Sequence, residues 1–470
     1  MSINLTSSQK HKNEENVLGK NRSYNDVIEF LSAANQIDYS KNAISRMQEL
    51  NKEFDDVASK LDIILIGGVN GKSLTINFAA KLLAEEGIRA GACYSSHILT
   101  YNERITLDSK YIQNKQFTDS INEVLNVVEA KKLKATAFEI VTMASLLYFK
   151  SEKVDVVFLE VGMGGTLDAT NFVKPKISAV TQVSMDDMDV LGTDFDKVTG
   201  ELMGIAKNDC YFISAEQSKT CLQKMKEFSD VAGAKWMMPI RKQSALPYIY
   251  EQLYGRTASL AERIALIYVE NIKGKFSPFL RGNLLLTKQG QRGRPTLEEK
   301  KKAILNPVKT LKSFWNEKFE LLRGRFELLE KEKPTIILDN AHNLDALANL
   351  FLGIRLLHYK KSINGFVLIL GMKSFHDANE VVKSIRYLLK KISGQVFFVP
   401  APGEQNVHNP EELCKLAKSF GIRANSYKSL NEAFEVARQA VDERQGLIAI
   451  AGTTSMVSEY WKNKDIKKFN

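Results

Sequence analysis

Cysteine is scarce. Four in 470 residues, Cys93, Cys210, Cys221 and Cys414, are too few for a disulfide-stapled scaffold and too far apart for a Cys-x-x-Cys metal knuckle. They read as reduced thiols of a cytoplasmic protein. No apolar run approaches the ~20 residues of a membrane span, so no membrane partner is expected. Residues 1–21, polar and rich in Lys and Asn, lack the apolar core of a signal peptide; a disordered tail is expected over 1–22. No internal repeat or low-complexity tract occurs. No dense basic block with interleaved aromatics occurs either. The net charge of +10, from 65 Lys plus Arg against 55 Asp plus Glu, therefore points away from nucleic acid. It suits an anionic small molecule, with most of the excess on solvated surface lysines. What is present is ordinary: 44% hydrophobic and 26% charged residues exclude a fibrous or wholly disordered chain. The length suggests two domains, and a monomer is expected.

Residues 24–47 read as one or two amphipathic helices. Residues 61–67 (LDIILIG) are short, apolar and β-branched and end on glycine, the pattern of a buried strand. A glycine turn follows, then a helix with Ile76, Ala79, Ala80 and Leu83 at i, i+3, i+4 and i+7. Further strands are expected at 154–159 and 177–183, with helices at 122–129 and 140–149 between. The pattern weakens over 212–319, and the charged, Gly- and Pro-bearing stretch 288–302 reads as a surface loop. From 322 onward, strands at 335–338, 366–370, 396–399 and 447–451 alternate with helices at 346–357, 378–389, 411–419 and 430–441. The expectation is an α/β protein. A P-loop-type central domain with a mostly parallel sheet would span 23–310, and a smaller Rossmann-like α/β domain 320–470.

Gly68-Val-Asn-Gly-Lys-Ser73 sits between the first strand and a helix N-terminus. Unpaired helix N–H groups and a glycine turn there can cradle phosphate oxygens. Gly68, Asn70 and Gly71 would form the cradle, Lys72 would neutralise β/γ-phosphates, and Ser73 would offer a hydroxyl to Mg²⁺. The loop is shorter than a full Walker motif, because Ile66 stands where the first glycine belongs. An ordinary strand-to-helix turn is the competing reading.

Several other segments are distinctive. Gly91-Ala-Cys-Tyr-Ser-Ser-His97 is followed by Tyr101-Asn-Glu-Arg-Ile105, and then by Thr136-Ala-Phe-Glu139. Leu159-Glu-Val-Gly-Met-Gly-Gly165 precedes Leu167-Asp-Ala-Thr-Asn171. Arg323-Gly-Arg325 and Leu338-Asp-Asn-Ala-His-Asn343 come later. In order and spacing, over roughly 24–460, these resemble the folylpolyglutamate synthase/dihydrofolate synthase group of the Mur ligase superfamily. The Leu-Glu-Val-Gly…Leu-Asp-Ala-Thr-Asn segment is the most specific match.

The resemblance implies an ATP-dependent ligase. A folate γ-carboxylate or the dihydropteroate carboxylate is phosphorylated, and the amine of L-glutamate displaces phosphate. It implies Mg²⁺ held by Ser73, Ser95 and Glu160, with Arg325, Asp339 and His342 reaching ATP from the second domain. Lys72, Glu160, Asp187 and His342 are the expected catalytic set. His97, Arg104, Thr136, Phe138, Glu139 and Asp168 are expected around the pterin or glutamate. Read as residues alone, Glu160 could cap a turn, Ser95 could bond its own backbone, and His97 could merely pack its loop. The 339–343 run could equally open a helix with N-cap side chains.

Departures cluster at the metals. A family His is replaced in Asp186-Asp187, and the family's carbamylated lysine is replaced by Leu202 in Glu201-Leu-Met-Gly-Ile205. A late Asp-Lys-Asp motif reads Phe375-His376-Asp377. Asp187, a hard oxygen donor, is expected to take over the second Mg²⁺. The alternatives are another Mur-type amino-acid ligase and a catalytically altered relative that keeps nucleotide binding.

Overall fold

The computed structural model describes residues 19–34, 36, 38–186, 191–192, 194–281, 309–374 and 376–469. Asp187, Phe375, the expected loop at 288–302 and most of the expected tail lie outside them.

Fourteen strands among the described residues form two sheets. The first contains β1 (Ile63–Gly67), β2 (Ala90–Cys93), β3 (Ile105–Leu107), β4 (Lys110–Tyr111), β5 (Val156–Glu160), β6 (Ile177–Val180), β7 (Tyr211–Ser214) and β8 (Lys235–Trp236). Its order is β4-β3-β2-β5-β1-β6-β7-β8, parallel except at β3 and β4. The second contains β9 (Glu327–Leu329), β10 (Thr335–Asp339), β11 (Phe366–Gly371), β12 (Gln395–Phe398), β13 (Ala424–Ser426) and β14 (Leu447–Gly452). Its order is β13-β12-β11-β14-β10-β9, parallel except at β9.

The central strands of the first sheet, β1 and β5, are apolar at nearly every position because both faces are covered. Four helices matter for the site: α1 (Lys72–Glu85), α2 (Ala137–Ser151), α3 (Tyr250–Ile267) and α4 (Leu344–Lys360). α1 is buried almost all round, since it lies between the first sheet and α3. Its expected apolar stripe therefore understates its burial. α2 covers the opposite face. One apolar core runs without a break from α1 and α3 through Phe326 and Leu347 into the second sheet. The helix α3, absent from the sequence expectations, thus joins the two sheets. Among the described residues no helix is long and apolar enough to cross a membrane.

Candidate active site

The carboxyl ends of the parallel strands carry the site, as strand geometry in open α/β sheets dictates. After β1 the chain turns through Gly68 (φ +113°) and Gly71 (φ +88°) into α1. A Cβ on Gly68 would lie 2.1 Å from Thr181 Oγ1, so only glycine fits there. Val69 N–H donates to Gln182 O at 3.1 Å, tying the loop to the end of β6. The Lys72 ammonium folds back onto Gly68 O (2.9 Å) and Val69 O (3.3 Å).

Glu160 ends β5 and is 3% exposed. It accepts from Ser73 Oγ at 2.8 Å and from Ser95 N–H at 2.9 Å. A hydroxyl and a carboxylate that meet at the phosphate loop form an all-oxygen donor pair suited to a hard divalent cation. Among the described residues no three His, Cys, Asp or Glu side chains form a metal cluster. Such a cation would therefore take its remaining ligands from phosphate and water.

The second sheet turns its own carboxyl edge toward this loop. Asp339 ends β10 and accepts the Phe326 N–H at 2.8 Å. Burial pushes its carboxyl up to about 6. Asn343 caps α4 through Ala346 N–H and is fully buried. Its amide exchanges two 3.1 Å hydrogen bonds with Asn70 and donates to Asp186 at 2.7 Å. His342 Nε2 lies 3.1 Å from the same Asp186 oxygen, and His376 Nε2 lies 3.8 Å from the other. Asp186, an N-terminal-half residue missed by sequence reasoning except as half of an Asp pair, therefore fastens the two sheets together.

Burial works against the Asp186 charge, but His342 and Asn343 outweigh it and hold the carboxyl down at about 2. Burial likewise works against the His342 charge, and Asp186 outweighs it, so His342 is raised. The signs define a window. The depressed carboxyl contributes stability above the ordinary Asp value of ~3.9, and the raised imidazole contributes below the ordinary His value of ~6.5. Asp186→Asn should therefore lower the unfolding midpoint most, by a few degrees, near about pH 5–6. The gap should narrow as pH rises through the His342 value. Calorimetric melts of both proteins across about pH 5–9 check this, and a gap that widens with pH contradicts it.

Lys72, Ser73, Ser95, Glu160, Arg325, Asp339 and His342 all line one cleft of about 580 Å³. A 60 Å³ side pocket opens off it at Ser73, Arg325 and Thr454 and is walled by Tyr94, His97 and Arg323. Arg323 stacks on Trp461 and Phe469.

Other expected contacts lie off the cleft. Thr136 and Glu139 form the capping box of α2, and Glu139 is fully buried against the Arg46 guanidinium (2.6 and 2.8 Å). Phe138 packs in the core of the first sheet. Asp168 accepts from the Gly162, Met163 and Thr170 N–H groups and so shapes the glycine turn beside Glu160. Arg104 donates to His97 Nδ1 at 2.9 Å and lies over Tyr101, which fixes the His97 ring. Burial, with the Arg104 and Lys462 charges, drops His97 to about 3, so the ring is neutral and accepts. Glu103 accepts from the Ile98, Leu99 and Thr100 N–H groups of the same loop, and Asn102 donates to Ile112 O beyond β4. In each case a buried polar side chain satisfies local donors, and sequence spacing alone does not separate that role from substrate contact.

Two α/β sheets turn their carboxyl edges onto one cleft, and one of them bears a glycine–lysine–serine loop against a buried glutamate, an arrangement able to hold a phosphate-bearing ligand. No protein-family model matches the chain. A dihydrofolate synthase/folylpolyglutamate synthase of Haemophilus influenzae is 28% identical over 419 residues, 86% of this chain and 91% of that protein. The protein of that name from Escherichia coli is 26% identical over 447 residues, 93% of this chain and 96% of its own. The folylpolyglutamate synthase of Mycobacterium tuberculosis complexed with ADP superimposes with a TM-score of 0.74 at 20% identity, covering 95% of this chain and 98% of its own. A bifunctional folylpolyglutamate synthase/dihydrofolate synthase of Yersinia pestis complexed with AMPPNP and Mn ion gives 0.70 at 21%, covering 94% and 98%. Over most of its length the chain is thus similar to proteins named dihydrofolate synthase/folylpolyglutamate synthase.

Proposed function

We propose that this protein is an ATP- and Mg²⁺-dependent ligase that joins L-glutamate to a folate, to dihydropteroate, or to both. One observation carries the reading. Lys72, Ser73 and Glu160 from one sheet edge, and Arg325, Asp339 and His342 from the other, meet on a single cleft. A nucleoside triphosphate has charge at one end and a nucleoside at the other, and two facing edges can hold both.

In this reading Lys72 leaves the loop carbonyls and takes β/γ-phosphate oxygens, while the loop N–H groups supply donors. Ser73 and Glu160 would hold Mg²⁺, which would supply charge neutralisation at the phosphoryl group. Arg325 adds a second cation from the opposite wall. The substrate carboxylate, seated toward the His97–Arg323 side pocket, attacks the γ-phosphorus. The bond to the β-phosphate oxygen breaks and ADP forms. The glutamate amine then bonds to the acyl carbon, the carbon–oxygen bond to phosphate breaks, and the amine proton passes to solvent. The Asn70–Asn343 and Asp186–His342 contacts keep the two edges in register, so that positioning supplies much of the rate. Four free, buried cysteines suit an enzyme of a reducing, cytoplasmic setting.

A second reading, nucleotide binding without ligation, is favoured by Leu202. It lines the cleft at 1% exposure and offers no metal ligand. One assay separates the two. Mg-ATP and glutamate are supplied with dihydropteroate, with tetrahydrofolate and with a UDP-muramyl peptide, and ADP release is scored. Release with either pteridine is expected. Release with the muramyl peptide alone identifies a different Mur-type ligase, and nucleotide binding without any turnover supports the altered relative.

A further inference from the structure

The cleft extends past the phosphate loop into a slot between α3 and α4. Leu253, Arg256, Thr257 and Leu260 line it from α3 at the i, i+3, i+4, i+7 spacing of one helix face. Asp345, Asn349 and Leu352 line it from α4 at the same spacing. The helices approach closely, since a Cβ on Gly353 would lie 3.0 Å from Leu253 Cδ1. Thr257 Oγ1 would lie 3.5 Å from a Cβ on Gly71, so the slot begins at the phosphate loop.

Arg256, like Arg355, has a buried Nε without a hydrogen-bond partner, and of the two only Arg256 lines the cleft. Arg22, Arg46, Arg281 and Arg323 each hold a carboxylate. Arg256 holds none among the described residues, and its Nε is buried without a hydrogen-bond partner. A buried donor left unpaired is costly, so a ligand acceptor is the natural partner. That ligand is not phosphate. The loop 68–73 already supplies the phosphate donors, and the Asp345 carboxylate on the facing wall repels a second anion. Leucines on both walls with amide and guanidinium groups at the edges suit a flat, uncharged ring.

A guanidinium only donates. The purine edge bearing N7 and O6 offers two acceptors to it, whereas adenine pairs N7 with an N6 donor. We propose that Arg256 is a specificity-determining residue that reads this purine edge and admits guanine nucleotides beside adenine nucleotides. The proposal rests on the nucleotide reading above.

Calorimetric binding of ADP, GDP and inorganic tripolyphosphate, with Mg²⁺, to the full chain and to Arg256→Ala, Arg256→Gln and Lys72→Ala tests it. Wild-type protein should bind GDP within about tenfold of ADP. Both Arg256 variants should weaken GDP at least about tenfold more than ADP. Tripolyphosphate binding should survive in both Arg256 variants and be lost in Lys72→Ala. Wild-type GDP binding more than about tenfold weaker than ADP overturns the proposal. So does equal weakening of ADP and GDP in the variants, or loss of tripolyphosphate with Arg256. In all three of these outcomes ADP still binds the wild type. If none of the three probes binds the wild type, the nucleotide reading itself fails and this one with it. Unfolding midpoints of the two Arg256 variants guard against misfolding, and the Gln variant preserves a planar polar end if Ala does not fold.

Discussion

Lys72→Ala should lower turnover by about 10²–10³-fold or more, the usual cost of deleting a preorganised charge at a developing phosphoryl transition state. The fold should be spared. Among the described residues the ammonium is hydrogen-bonded to the Gly68 and Val69 carbonyls, both of them part of its own loop. Loop shape is set elsewhere, by the positive-φ glycines and by the Val69–Gln182 and Thr181–Gly67 backbone bonds. Removing the ammonium therefore leaves two carbonyls that water can reach in an open cleft, and the unfolding midpoint should stay within a degree or two of wild type. Affinity for ATP should fall together with turnover, because the same charge serves ground state and transition state. Steady-state kinetics and thermal melts of the two proteins decide the matter. Wild-type kinetics in Lys72→Ala would remove the phosphate-loop assignment.

Glu160→Gln should raise the Mg²⁺ concentration for half-maximal ADP formation at least tenfold and cut turnover by about a hundredfold. The substitution keeps shape and volume but removes the charge. The expected losses follow from the donor set. Among the described residues no group of three His, Cys, Asp or Glu side chains could hold a metal, so the one anionic ligand Glu160 is a large share of what the protein offers. Ser73→Ala, which deletes the neutral member of the pair, should shift the same curve less. The side-chain amide introduced by Glu160→Gln keeps one oxygen for Ser95 N–H or Ser73 Oγ but not both, so stability should drop by about 1–3 kcal/mol. Superimposable Mg²⁺ curves for wild type and Glu160→Gln would sink the metal role. Bicarbonate should change neither curve, since Leu202 cannot form a carbamate.

Parts of this protein were legible from residue order. The strands ending at Gly67, Glu160, Asp339 and Gly452 are runs of buried aliphatics closed by glycine or an acid, and that pattern needs no tertiary information. The turn from β1 into α1 was legible because Gly68, Gly71, Lys72 and Ser73 follow a short apolar run. Helix α3 was not. Its buried face interleaves the small residues Gly255, Ala258, Ser259 and Ala261 with Leu260, Ile264 and Ile267, which dilutes the apolar stripe, and it packs closely against α1.

Residue order also could not sort contact from scaffold. Glu139 and Glu160 are both acids in family-like motifs, and both are buried. One faces Arg46 inside the first sheet's core and the other faces Ser73 at the cleft. The difference is which edge of which strand or helix each occupies. The sequence alone therefore determined the central strands of both sheets and the glycine turn after β1, which follow from local pattern within a few residues. Tertiary structure decided what stands opposite that loop. Asn343 against Asn70 and His342 against Asp186 pair residues 273 and 156 positions apart. Such pairs depend on how α3 and α4 share one apolar core, and no local pattern encodes that distance.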